Sequence, residues 1–275
     1  MPFMRRLHLF EIHDQSWFPG FLRDQMTEGL QAIFDFANLY RPIAQRLSQA
    51  LDQAGTRRVV DLCSGAGGPW PKLRQTCAEE FTGVEVCLTD KYPNVKALAL
   101  FNNGDPRGIQ FERKPVDVLD IPRELSGFRT MFTSFHHFKP DEARAILRDA
   151  VTKGQGIGIF EIPKRGVRTI PSVFLVPFAY WALVPSMRPF RWSRLLWAYL
   201  LPVIPLVLWF DGIVSCFRAY TPRELRKLTE ELPANRYHWE VGEEHGRGLM
   251  PATVTYLIGW PSSSQKCGTR QDALV

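Results

Sequence analysis

The residues best suited by type and spacing to do chemistry lie in Val59-Val60-Asp61-Leu62-Cys63-Ser64-Gly65-Ala66-Gly67-Gly68, an apolar strand that passes an acid and ends in glycines. After a buried strand, glycines let the backbone turn sharply and approach a ligand closely. The helix that follows then offers unpaired N–H groups to an anionic part of that ligand. A second apolar run, Val84-Glu85-Val86-Cys87-Leu88-Thr89-Asp90, closes on a carboxylate where doubly wound folds place the acid that binds ribose hydroxyls. Together the two runs point to a nucleotide-like ligand.

A dinucleotide site would read G-x-G-x-x-G or A, but here Gly65 and Gly67 are followed at the third position by Trp70, with Pro69 before it. That third residue must be small for helix and strand to pack closely, so Trp70 argues against NAD. The segment instead resembles motif I of the class I S-adenosylmethionine-dependent methyltransferases, commonly D-x-G-x-G-x-G. Asp61, Gly65 and Gly67 match, and Cys63 replaces the first glycine. Cysteine is compact, yet it is expected to disfavour a positive φ there.

The resemblance runs from about residue 57 to about residue 260. It implies S-adenosyl-L-methionine as cofactor, held by Asp61, Cys63, Ser64, Gly65, Gly67, Asp90, Asp117 and Val118. Asp90 matches the family's ribose-binding acid. Asp117, in Val116-Asp117-Val118-Leu119-Asp120-Ile121-Pro122, matches the partner of the adenine amine. Thr130 to Phe138 resembles the fourth strand and a His-His turn, and Gly156 to Glu161 the fifth strand. Tyr220 to Leu225 resembles the start of a late helix, and Ala252 to Trp260 the last strand.

Methyl transfer from a sulfonium needs the acceptor atom held in line, and positioning supplies up to roughly 7 to 11 kcal/mol in favourable intramolecular cases. If the acceptor is a hydroxyl or a carbon acid, a proton must also leave. His136, His137 and His13 are the candidate groups, because an unperturbed imidazole titrates near neutral pH. The reaction requires no metal. The five cysteines, at 63, 77, 87, 216 and 267, form no C-x-x-C pair, so neither a zinc site nor a disulfide framework is expected.

The elements that must position these groups follow from periodicity. Apolar residues Leu22, Met26, Leu30, Ile33, Phe34 and Ala37 recur at helical spacing, and Ile43, Leu47 and Leu51 continue in a second helix after Pro42. These helices are expected to cover the ligand face, with the cluster around Glu11, His13, Asp14, Trp17 and Phe18 as a lid or a staple. Strands are predicted near 58–62, 84–89, 110–114, 129–134 and 156–161, alternating with helices, which gives a largely parallel sheet. Asp61, Asp90, Asp117, His136 and Glu161 then all fall at carboxyl ends of strands, where such sheets bind ligands. Thr221-Pro222 predicts the cap of a helix to Leu232. The resemblance implies that an antiparallel pair, His238–Glu243 and Thr253–Trp260, closes the sheet around the turn near Gly246 and Gly248.

The expected fold is therefore α/β, a Rossmann-like, doubly wound, seven-stranded sheet with additions. The additions are an N-terminal helical cap (1–56) and an apolar aromatic insertion (164–216), set about a core of 57–163 and 217–262 with a polar tail of 263–275. In the insertion, Ile170–Met187 and Leu195–Phe210 are apolar runs broken by Pro171, Pro177, Pro185, Pro202 and Pro205. A spanning helix needs roughly 20 apolar residues. Two spans would also carry Arg188, Arg191 and Arg194 to the normally arginine-poor side, since Lys164, Arg165, Arg168, Arg218, Arg223 and Arg226 flank the pair. A broken hairpin that lies in the interface or dips into one leaflet, with its arginines near headgroups, fits better, and a soluble, aromatic-rich cover over the substrate pocket is the alternative.

With 45% hydrophobic and 23% charged residues the chain is a folded one, and its net charge of +6 permits an acidic partner without choosing one. The arginines flank apolar runs and form no basic stripe, so a nucleic-acid methyltransferase ranks second. A non-catalytic protein retaining the cofactor fold ranks third. The leading expectation is a cytoplasmic methyltransferase, peripheral or monotopic at the inner face of a membrane, acting on an apolar small-molecule or lipid-like acceptor. Oligomeric state is not legible.

Overall fold

Strands buried on both faces need apolar residues at consecutive positions, and the runs singled out above meet that demand. The computed structural model describes residues 5–98, 108–166, 169–232, 237–246 and 252–262. The proposed tail, together with Arg168, Gly248 and Cys267, lies outside the described residues. Helices α1 (Gly20–Ala37) and α2 (Ala44–Gln53), joined through one tight turn at Arg41–Ile43, precede β1 (Arg58–Leu62). Next come α3 (Trp70–Thr76), β2 (Glu85–Leu88), the single turn α4 (Val95–Leu98), β3 (Ile109–Phe111), β4 (Phe128–Phe132), α5 (Pro140–Thr152) and β5 (Ile157–Glu161). The insertion comprises α6 (Thr169–Val173), α7 (Val176–Leu183), α8 (Trp192–Leu195) continuing as a π-helical turn to Leu200, and α9 (Val203–Arg218). Helix α10 (Pro222–Glu230) and strands β6 (Tyr237–His245) and β7 (Thr253–Pro261) follow.

The sheet has seven strands in the order β3-β2-β1-β4-β5-β7-β6, with β7 antiparallel to both of its neighbours. This is the expected doubly wound architecture. Its strand order reverses between β1 and β4, which are parallel and paired from Val59↔Phe128 to Leu62↔Met131. At such a reversal the flanking loops diverge and leave a crevice beyond the carboxyl ends of the strands.

Side-chain alternation divides the sheet into two apolar layers. Val59, Phe128, Phe132, Phe160 and Ile258 pack with Leu47 and Leu51 of α2 and with Trp70 and Leu73 of α3. Val60, Met131, Ile157, Ile159 and Leu257 pack with Ile146 and Leu147 of α5 and with Leu225 and Leu228 of α10. Helix α10 begins as Thr221-Pro222 predicts. Thr221 Oγ1 accepts the Glu224 N–H at 3.3 Å, and Glu224 Oε2 accepts the Thr221 N–H at 2.8 Å.

A third core joins the N-terminal segment to the insertion. Phe18, Leu22, Met26 and Ile33 pack against Tyr180, Val184, Ala198, Ile204 and Leu208. The two additions thus share one apolar interior. Phe18 is a staple in this core, whereas Trp17 is 67% exposed. Here the structure corrects the expected role of the loop arginines. Glu28 of α1 accepts from Arg191 Nη1 at 2.9 Å and from Arg194 Nη2 at 2.6 Å, and the Arg194 side chain is buried. Two of the three arginines assigned to headgroups instead tie the insertion to α1, because a buried carboxylate needs them nearer.

Gly29 sets how closely α1 and α7 approach, since a Cβ there would lie 2.5 Å from Tyr180 Cε2. Gly29→Ala must displace a fully buried ring, and overpacking of that kind costs about 1 to 3 kcal/mol. Equilibrium denaturant unfolding should register this loss. Gly20→Ala, where a Cβ meets nothing within 4 Å, should not.

Candidate cofactor and active site

A cavity of about 510 Å³ lies beyond the carboxyl ends of β1, β2 and β4. Arg23, Asp24, Thr27, Leu30, Gln31 and Phe34 of α1 line its other side. Its sheet side is built on Asp61. This side chain is 1% exposed and accepts from Ser64 Oγ at 2.6 Å, Thr130 Oγ1 at 2.6 Å and Trp70 Nε1 at 3.2 Å. Burial pushes the Asp61 carboxyl up to about 7 against the opposing pull of these three donors. Trp70, which spoils a dinucleotide motif, here fills the space under the turn and supplies one of the donors.

The turn after Asp61 runs through the left-handed region at Gly65 (φ 56°), Gly67 (φ 136°) and Gly68 (φ 59°). A Cβ on Gly68 would sit 3.0 Å from Asp61 Oδ2, so the backbone here leaves no room for a side chain. Cys63 corrects the sequence-based expectation by adopting φ 58° itself. The turn geometry demands a left-handed residue at this place, and the small cysteine bears the steric cost that a glycine would avoid. Thr133, just past β4, is likewise held at φ 45°, with Tyr40 Oη and Thr133 Oγ1 in a short hydrogen bond. Two strained residues therefore flank the reversal point of the sheet. Both line the cavity, which is where backbone strain tends to concentrate in functional sites.

At the end of β2, Asp90 accepts the Gly65 N–H at 2.7 Å and the Tyr92 N–H at 2.7 Å, one on each oxygen. The carboxylate is thereby fixed against the glycine turn at the cavity wall. Asp117 lines the same cavity, accepts the Leu119 N–H at 3.0 Å and pairs with Lys91 Nζ at 2.9 Å. That pairing, foremost among its neighbours, holds its carboxyl below the ordinary range. Buried Val118 adds an apolar patch. Of the expected cofactor residues, Asp61, Cys63, Ser64, Gly65, Asp90, Asp117 and Val118 all line the cavity, while Gly67 shapes the turn and Gly68 takes its place at the surface.

The three histidines separate. His136 is 1% exposed, sits with Nδ1 2.6 Å from Glu161 Oε2, and is not part of the cavity lining. Glu161 also accepts the N–H groups of Ser134 and Phe135, so this pair braces the turn after β4. His137 and His13 do line the cavity. His137 Nδ1 lies 2.8 Å from Asp14 Oδ2 and 3.1 Å from Glu11 Oε2, and His13 Nδ1 lies 2.8 Å from Asp211 Oδ2. Burial alone would lower the His137 imidazole, but the Glu11 and Asp14 carboxylates outweigh it and raise it to about 9. His13 is raised in the same way, burial being outweighed by its bond to Asp211 and by Asp14 and Glu11.

Tyr40, Asp211 and Arg218 belong to this constellation and carry no local sequence signal for it, whereas Gly68 and Thr133 stand in stretches the sequence singled out. The aromatic-acidic segment around Glu11 did carry one. It reaches the cavity because Asp211 of α9 accepts the backbone N–H groups of Ile12 and His13 at 2.7 and 3.1 Å.

Neither the models of known protein families nor the curated proteins match the sequence. Solved structures do. The plantazolicin methyltransferase BpumL, in complex with SAH, aligns over 89% of this chain and 96% of its own, with 10% identity and a TM-score of 0.50. The fold is that of the class I methyltransferases. Human N-acetylserotonin methyltransferase, in complex with SAM, aligns over 86% of this chain at 13% identity and a TM-score of 0.46. The chain covers 56% of the length of that methyltransferase and 58% of a putative O-methyltransferase from Nostoc punctiforme PCC 73102.

Within the methyltransferase fold, Cys63 departs from the glycine pattern at a place where the backbone must be left-handed. A β-branched residue is still less able to adopt that conformation. Cys63→Val should therefore cost at least about 1 kcal/mol more stability than Cys63→Ala, whose smaller side chain tests the loss of packing alone. Thermal or denaturant unfolding of the two variants measures the difference.

Proposed function

We propose that the protein is an S-adenosylmethionine-dependent methyltransferase whose acceptor is an apolar small molecule or a lipid-like molecule. One observation carries the reading: the Asp61 to Gly68 turn and the Asp90 carboxylate open into one cavity at the reversal point of the sheet. The residues present fit the cofactor. The side-chain-free surface at Gly65 and Gly68 suits close approach of a ligand, and the volume lies within the ~300 to 1,000 Å³ of small-molecule sites. Asp90 would hold the ribose hydroxyls and Asp117 the adenine amine, with Val118 against the base. Asp61, Cys63, Ser64, Gly65 and Gly67 would form the turn at the other end of the cofactor. When bound, the cofactor supplies an electrophilic methyl group.

The chain's own contribution is then mostly positioning. Helix α1 closes one side of the cavity and favours an acceptor of limited size over a polymer. His13 and His137 are the candidate groups for moving an acceptor's proton, and His136, outside the cavity lining, braces with Glu161 the turn that carries His137. At neutral pH His137 holds its proton, so in that state it donates a hydrogen bond to an acceptor oxygen.

The apolar character of the acceptor is supported by the exposed apolar face of the insertion, which packs on α1, the helix that closes one side of the cavity. Trp192 is 78% exposed, Leu200 75%, Phe178 62% and Leu175 59%, all on the insertion. Phe21 and Trp197 lie 5.8 Å apart, so exposed aromatics of α1 join the same surface. Thr169–Ser186 is long and apolar enough to cross a membrane, and Trp192–Leu200 with Val203–Arg218 would be so if it were not bent by 67°. A bend of that size suits a hairpin resting in the interface of the cytoplasmic leaflet, where it would meet a lipid-like acceptor. With Arg191 and Arg194 committed to Glu28, apolar burial and not charge is the driving force.

Calorimetry should show S-adenosylmethionine and its demethylated product binding to the wild type, and Asp90→Ala weakening that binding by about 1 to 3 kcal/mol. Tighter binding of NAD would overturn the cofactor assignment.

Uncharged phosphatidylcholine vesicles should retain the protein at both low and high salt, and Trp192→Ser with Leu200→Ser should release it. Retention that disappears with salt, or a stable soluble dimer that ignores vesicles, would count against the membrane reading.

A further inference from the structure

Beside the cofactor cavity lies a cluster that methyl transfer does not require. Glu11, His13 and Asp14 stand in one turn, and His137 comes from the turn after β4. Each offers a ligand atom, and these atoms all lie within 4.8 Å of one another. We propose that Glu11, His13, Asp14 and His137 form a binding site for one divalent transition-metal ion of the zinc or manganese class.

Geometry supports the assignment first. His137 Nδ1 lies 2.8 Å from Asp14 Oδ2 and 3.1 Å from Glu11 Oε2, while His13 Nε2 lies 3.6 Å from Asp14 Oδ1. Around an ion with ligand bonds of about 2.1 Å, tetrahedral ligand atoms stand ~3.4 Å apart. The separations bracket that value, so small side-chain shifts bring the set onto a common centre. Two imidazoles with two carboxylates form a borderline donor set, suited to zinc or manganese more than to calcium or magnesium.

An independent observation is the state of Glu11. Its side chain is fully buried, and while Oε1 accepts from Ser215 Oγ, Oε2 makes no hydrogen bond: the nearest donor, His137 Nδ1 at 3.1 Å, is directed to Asp14. A buried carboxylate oxygen without a hydrogen bond is costly, and an ion among these four residues would be bound by it. Behind it, the equally buried His136 Nε2 also lacks a partner, 3.6 Å from Glu11 Oε1. Three carboxylates, Glu11, Asp14 and Asp211, gather here beside the Arg218 guanidinium, 3.1 Å from Asp14 and 3.5 Å from Glu11, and a divalent ion would take the place of the imidazole protons among them.

The surrounding contacts are those of a supported metal site. Asp211 Oδ2 faces His13 Nδ1 at 2.8 Å, which leaves Nε2 as the ligating nitrogen. The same carboxylate accepts the N–H groups of Ile12 and His13, so the turn carrying three ligands is locked to α9. Because His13 and His137 line the cavity, the ion would stand at its wall, able to take an acceptor oxygen as a further ligand. That use rests on the methyl-transfer reading; the site itself does not.

The test uses the full-length protein, stripped with chelator and re-dialysed. Titration with Co²⁺ should produce visible d–d absorption that saturates at one equivalent, and Zn²⁺ should displace it. His13→Gln and Asp14→Asn should each weaken Zn²⁺ binding by at least about tenfold. His245→Gln, on the exposed end of β6, should leave it unchanged. Retained binding of S-adenosylmethionine shows that a variant is folded, and because that is measured without metal, failure of one reading is distinguishable from failure of the other. If the variants do not fold, X-ray absorption of the zinc-loaded wild type decides. Two imidazoles with oxygen ligands support the site. Absence of stoichiometric binding, thiolate ligation, or binding that survives His13→Gln would overturn it.

Discussion

The burial of one carboxylate organises this molecule. Asp61 sits at the end of the central strand with its charge withdrawn from water, a placement that is unfavourable unless donors surround it. Ser64 of the glycine turn, Trp70 at the start of α3 and Thr130 of β4 supply them. Each donor comes from a different element, so satisfying Asp61 brings the turn, the helix and the neighbouring strand into one arrangement. The left-handed backbone at Cys63, Gly65 and Gly68 is the steric consequence, because the chain must fold back over a carboxylate that leaves no space for a Cβ at Gly68.

A second buried acid does for the outer layer what Asp61 does for the sheet. Glu28 holds Arg191 and Arg194, and Asn94 adds a weaker contact at 3.3 Å. The pair of arginines sits in the middle of the apolar insertion, so its helices can cover α1 in only one register. What remains outward is an aromatic face, Trp192 and Phe178 among it, that has no core of its own to enter. Specific internal pairing and an exposed apolar surface are thus two results of the same insertion.

The histidines show how position divides chemically identical residues. His136 and His137 are adjacent, with ring centroids 4.3 Å apart, yet one braces Glu161 in the interior and the other meets the cavity beside Asp14. His13 reaches the same wall from more than a hundred residues away, held by Asp211. Acidic neighbours crowd His13 and His137, and their carboxylates raise both imidazoles.

By itself the sequence determined the sheet and one half of the cavity. Parallel strands, their order of occurrence and the turn after Asp61 follow from local patterns, since an apolar run, a glycine at a left-handed position and an acid at a strand end each carry their meaning within a few residues. Asp90 and Asp117 were legible for the same reason. Tertiary structure alone decided the rest. Glu28 with Arg194, Asp211 with His13, and Tyr40 with Thr133 are separated by 93 to 198 residues. Two of the three arginines read from their place between apolar runs as membrane-facing, Arg191 and Arg194, proved to be internal partners of a buried acid, and Cys63 took the backbone conformation its side chain disfavours. In both cases a local preference of under a few kcal/mol gave way to the larger cost of leaving a buried charge or a packed turn unsatisfied.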